Sequence, residues 1–204
     1  MSKKKDIATI IFFVIIGIGL IGGTAYIAYK DFAGPEEASK KLISLDLYGY
    51  TLVKSDTDLF KDTFKELEKV LNEDEINYSE YAKLASELFV IDVFSLSNKL
   101  TSTDIGGLEF VHKSLRENFK ENLGNSLYKN VTSNIDGKRT QKLPEVSSIR
   151  VENISEKKFT YNKTEYDAYL VSLAWEYKKD MGYQKKMNIT LIKDNGKLFI
   201  VKGE

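Results

Sequence analysis

Asp92, the paired Gly106-Gly107 and His112, the single histidine of the chain, fall within one short stretch. Each raises a different chemistry. An imidazole can act as a general base, a glycine pair can bring backbone amides close to a phosphate, and a carboxylate inside an apolar run can have its proton affinity reset by burial. A base also needs a proton to take, a partner to orient it and a pocket. Nothing around His112 in NKLTSTDIGGLEFVHKSL supplies a second metal ligand at a set spacing. The glycine pair has no strand before it and lacks the phosphate-loop pattern. The stretch therefore reads as a corner between helices, with Gly106-Gly107 turning the chain, Asp104 capping the turn and His112 half-exposed in the loop. Asp92, inside Leu88-Phe89-Val90-Ile91-Asp92-Val93-Phe94, is the sharper candidate: it is either an acid in a cavity or a structural carboxylate hydrogen-bonded to the loop after Leu100. Tyr169, Trp175 and Tyr177, on one face of a strand, are candidates to line a cavity, with core packing as the simpler use. No catalytic set, metal site or cofactor site is expected.

The elements that would hold these residues follow from periodicity. Phe60, Phe64, Leu67 and Leu71 recur at helical spacing over Thr57–Asn72, after capping candidates Ser55 and Asp56. Asn77 and Glu80 form a capping-box pattern, opening a helix to about Leu96 that is apolar almost all round and so should be buried on every side. A third helix is expected from about Ser114 to Val131, with Leu115, Phe119, Leu123, Leu127 and Val131 four apart. From Glu145 the period becomes two. Strands are expected to Ile154, over Tyr169–Tyr177, around Met187–Leu191, and from Lys197 to Lys202 after an Asp194-Asn195-Gly196 hairpin turn, with Phe159 and Tyr161 in a short strand or wide turn between the first two. Helices followed by antiparallel strands predict an α+β fold, three helices packed on a curved, cone-like four-stranded sheet.

The N-terminus bears on location. Lys3, Lys4 and Lys5 precede 23 residues without a charge, Ile7 to Tyr29, with Phe12 and Phe13 among them. At 1.5 Å per residue such a run spans roughly 34 Å as a helix, enough for a hydrocarbon core of about 30 Å and longer than the apolar part of a signal peptide. The lysine triplet orients it with the N-terminus cytoplasmic and the remainder outside. Gly19 and Gly23 form a GxxxG that can pair two such helices. The expected organisation is a cytoplasmic tail at 1–6, a membrane helix at 7–29, a tether at 30–55 after the Gly34-Pro35 break, and an extracytoplasmic domain at 56–204.

Composition narrows the partners. Thirty basic and thirty acidic residues cancel, and 42% hydrophobic content is ample for a core. With four N-terminal lysines and Asp6 set aside, the outer part has 26 basic against 29 acidic residues and no general attraction to anionic lipid. No basic face suggests nucleic acid. The chain has no cysteine, which excludes disulfides and thiolate chemistry. The expected partners are the bilayer, through the N-terminal helix, and proteins at the membrane, a second copy of the chain included.

In the order of these elements, carried by Ile7–Tyr29, the helix stripes, Tyr169–Tyr177 and the pair of strands around Asn195-Gly196, the chain resembles the nuclear transport factor 2-like superfamily. With its membrane helix it is similar in architecture to the bitopic VirB-type components of conjugation and type IV secretion. That resemblance implies an assembly role in an envelope complex, or else a cell-surface ligand-binding or sensory domain using the cone cavity. Some enzymes of the cone fold place an acid deep in the cavity, the position Asp92 would take in an enzymatic reading. DTDLFKDTFKEL and LFVIDVFSLSNKLTSTDIGGLEFV resemble single-span proteins of Gram-positive bacteria, which implies a location and no activity.

Overall fold

The computed structural model describes residues 40–204, so the expected membrane helix at 7–29 and the first part of the tether lie outside the described residues. The described chain is α+β, with three helices and a four-stranded antiparallel sheet preceded by a small hairpin.

Helix α1, Asp58–Leu71, buries Phe60, Phe64, Leu67 and Leu71, the four residues its periodicity picks out. Its cap is Thr57, whose side chain accepts from the Phe60 N–H at 3.3 Å. The expected cap Asp56 turns back instead and accepts from the Val53 N–H at 2.7 Å, fastening the preceding strand. Helix α2, Tyr78–Phe94, starts where the capping box places it, with Asn77 Oδ1 accepting from the Glu80 N–H at 3.1 Å. Nearly every residue of α2 from Tyr81 onward is buried, because the helix packs on α1 and on the sheet.

Helix α3 is shorter than expected. A 3₁₀ turn at Lys113–Leu115 leads into Arg116–Asn125, and the chain leaves helical geometry at Ser126. Asn122, Gly124 and Asn125 are weak helix formers, so propensity does not carry the last turns. Tertiary bonds capture the next residues: the Tyr128 hydroxyl donates to Val93 O at 2.9 Å and accepts from the Gly106 N–H at 3.1 Å.

The sheet runs β3 (Val146–Tyr161), β4 (Thr164–Tyr177), β5 (Lys186–Asp194) and β6 (Lys197–Gly203), in that order. The strand expected to stop near Ile154 and the short strand or wide turn expected around Phe159 are a single strand, β3. It pairs with β4 through two register irregularities. The polar run Ser155–Lys158 marks solvent exposure, not a break. Asn162 and Lys163, both at positive φ, close the β3–β4 turn, and Asn195-Gly196 close the β5–β6 turn, as their residue types favour.

Within the stretch read as a tether, residues 41–53 form a hairpin of β1 (Lys41–Leu45) and β2 (Tyr50–Val53). Tyr50 and Leu52 enter the core completely. The Tyr50 hydroxyl lies 2.8 Å from that of Tyr81 and donates to Leu198 O at 3.3 Å, while the Leu198 N–H donates to Tyr81 at 3.2 Å. Tyr50 also stacks on Phe110 with ring centroids 4.9 Å apart. Burial raises both phenols well above the usual tyrosine range, so the network stays neutral.

Candidate functional site: an acid-walled cleft beside the central helix

Strand β2, the start of α1, Asp92 of α2 and the loop 98–109 line an open cleft of about 290 Å³. Asp56, Asp92, Asp104 and Glu109 supply its carboxylates, and Lys99 and Asn98 complete its polar lining. The loop lies so tight on α2 that its glycines are obligatory. A Cβ on Gly106 would stand 2.3 Å from Asp92 O, and one on Gly107, at φ +78°, 2.6 Å from Val93 Cγ2. The glycine pair is the corner its sequence implies, and the close approach explains why two are needed.

Asp92 faces this cleft with its side chain 18% exposed. Oδ1 forms an ion pair with the Lys99 ammonium, whose side chain is only 6% exposed, and Oδ2 accepts from the Gly107 N–H at 2.6 Å. Burial alone would lower the Lys99 pKa. The Asp92 carboxylate, with Tyr128 and Asp104, outweighs burial and holds the ammonium above its ordinary range. Arg139 straps the same turn, donating to Lys99 O at 2.8 Å and Ser97 O at 2.6 Å.

The other three acids are placed alike. Asp56 holds the Val53 N–H, Asp104 the Leu100 N–H at 2.9 Å, and Glu109 the Thr51 N–H at 3.1 Å. Burial pushes the Glu109 carboxyl up to about 8, against the Thr51 hydrogen bond and with Asp92 adding to the rise. Burial likewise raises Asp56 to about 6. Burial thus favours the protonated form of these two acids relative to an exposed carboxyl. Each carboxyl fastens a backbone amide and keeps lone pairs for the cavity. Asn98 Oδ1 is buried without a hydrogen-bond partner among the described residues. The arrangement suits a hydrogen-bond donor or a cation. It is less suited to proton abstraction by Asp92, both of whose oxygens are engaged. Among the described residues no group of three or more His, Cys, Asp or Glu can hold a metal ion.

The aromatic candidates stand elsewhere. Tyr169, Trp175 and Tyr177 are 7%, 1% and 7% exposed and line the face of β4 that packs into the core. The Trp175 ring lies 4.8 Å from Phe94, and Tyr177 donates to Gln184 O at 2.7 Å. They are not part of the acid-walled cleft. His112, expected half-exposed, is 8% exposed. Its Nδ1 accepts from the Ser114 N–H at 3.3 Å and lies 2.8 Å from Ser114 Oγ, which is 2.6 Å from the Tyr161 hydroxyl. Edge contacts to Tyr161 and Phe199 complete its surroundings, and burial lowers its pKa. Nδ1 is occupied as the cap of the 3₁₀ turn.

Sequence reasoning missed Glu109, Asp56 and Lys99 as members of the site. Lone acids in polar loops carry no periodic signal, and only the fold of loop 98–109 onto α2 gathers them. Compared with known proteins, the chain matches no family, curated protein or solved structure.

Proposed function

We propose that this chain is a membrane-anchored interaction protein, its folded domain held outside the cytoplasmic membrane by residues 7–29 and acting by binding partners. The observation that carries the reading is the 23-residue uncharged run behind Lys3, Lys4 and Lys5. Among the described residues no helix is long and apolar enough to cross a membrane. The engaged state of the acids supports binding over catalysis: Glu109 and Asp56 fasten amides of strand β2, and Asp104 and Asp92 amides of the loop 98–109. The setting we propose is an envelope assembly of the conjugation or secretion kind, supported by the likeness of element order to the cone-fold components of such machines. A second reading, a ligand-binding or sensory domain, is favoured by the cleft of about 290 Å³ and places the ligand among Asp56, Asn98, Asp104 and Glu109.

The test is topological. With a protease-sensitive tag fused after Glu204, protease added to cells stripped of their wall removes the tag, and the protein fractionates with membranes resistant to salt and alkali. A tag protected until the cells are lysed, or recovery in the soluble fraction, refutes the anchored, outward-facing reading.

A further inference from the structure

We propose that the β1–β2 hairpin rests on the bilayer surface, with Leu42 and Leu47 in the lipid interface and Lys40, Lys41 and Lys54 over anionic headgroups. This rests on the membrane-anchored reading given above and adds a second contact to it.

Four large hydrophobic side chains are exposed among the described residues, and two of them, Leu42 at 51% and Leu47 at 88%, belong to this one hairpin. They are not spare core residues. Ile43 and Leu45 turn inward against the core, opposite Leu52 and Tyr50, while Leu42, at the register irregularity between Lys41 and Ile43, is left exposed. Leu47 occupies the turn between the strands, where a polar residue would be the ordinary choice.

Charge and position select lipid as the occupant. The domain as a whole is slightly acidic, but residues 40–54 carry three lysines against Asp46 alone. Lys40 and Lys54 meet at the open end of the hairpin, where the Lys54 N–H donates to Lys40 O at 3.0 Å. Leu42, directly after Lys40 and Lys41, is the leucine-and-lysine pairing that settles at an anionic interface, and Leu47 adds apolar area at the turn. The hairpin is also the described element nearest in sequence to the anchor. Residues 30–40, fully extended, reach at most roughly 40 Å, so β1 cannot leave the neighbourhood of the membrane. At that range the tether keeps the effective concentration high, and a weak surface contact is enough to orient the domain. The core anchoring of Tyr50 and Leu52 makes the hairpin a rigid foot.

The natural chain lacks cysteine, so single-cysteine variants of the full-length protein can be labelled cleanly. The Leu42→Cys, Leu47→Cys, Ile135→Cys and Phe13→Cys proteins are labelled with an environment-sensitive fluorophore. Each is reconstituted in vesicles of phosphatidylcholine and phosphatidylglycerol containing nitroxide-bearing lipid. The expected result is quenching at positions 42 and 47 that exceeds quenching at 135 by about threefold or more and weakens in pure phosphatidylcholine. Quenching at 13 with none above the 135 level at 42 and 47 overturns the surface contact and leaves the anchor intact. Absence of quenching at 13 overturns both readings. Labels at 42 and 47 that are shielded from lipid but quench one another at high protein density assign the hairpin to a second copy and overturn the lipid contact.

Discussion

Replacing Asp92 by Asn removes the charge and keeps an oxygen for the Gly107 N–H, so it isolates the ion pair with Lys99. The wild-type pair is largely dry, the two side chains being 18% and 6% exposed. With Asp92→Asn the Lys99 ammonium stays buried with no anion in contact, and breaking such a pair from one side costs about 3–5 kcal/mol. Against a total stability of roughly 5–15 kcal/mol this is severe. For a chain of this size 1 kcal/mol moves the midpoint by about 2–4 °C, so Tm should fall by about 6–20 °C. The double variant Asp92→Asn with Lys99→Met removes both charges, retains the amide acceptor and fills the lysine's track with an apolar stem. It should return to within about 1 kcal/mol of wild type, since paired removal of buried charges is close to neutral. The assay is intrinsic: Trp175 is the only tryptophan and sits 1% exposed beside Phe94, so its emission reports loss of the core in detergent-solubilised full-length protein. If Asp92→Asn costs less than about 1 kcal/mol, or if the double variant is no better than the single, the charges are not coupled as the geometry implies.

Two further outcomes follow from the same cleft. Glu109 and Asp56 have folded pKa values of about 8 and about 6, raised above their unfolded values near 4, so the folded state holds protons more tightly. Their contribution is full below pH 4 and is lost as pH rises to 8; urea melts should therefore show a falling component over that window, which flattens in Glu109→Gln. Gly107→Ala forces a Cβ into Val93 at positive φ, and Gly106→Ala forces one against Asp92 O. Each should cost about 3 kcal/mol or more by thermal melt, while Gly137→Ala, at a similar φ but with no atom within reach, costs only the backbone strain of about 1 kcal/mol.

The chain's own pattern determined the local elements. The α1 stripe, the Asn77 cap, the inward face Tyr169–Tyr177 and the Asn195-Gly196 turn were all legible because burial on one face repeats with the period of the element. What only the tertiary structure decided lies where contacts join distant residues. The hairpin at 41–53 owes its order to Tyr50 meeting Tyr81 and Leu198, 31 and 148 residues away. The α3 stripe ran past Asn125 on paper, yet Tyr128 is drawn off to Val93 and Gly106. The cleft itself is the clearest case. Asp92 was visible as an acid among apolar neighbours, but Asp56 and Asp104 read only as caps, and Lys99 and Glu109 as ordinary loop polarity. A charge in a loop has no periodicity to betray its direction, and only the close seating of Gly106-Gly107 on α2 turns those side chains toward one space.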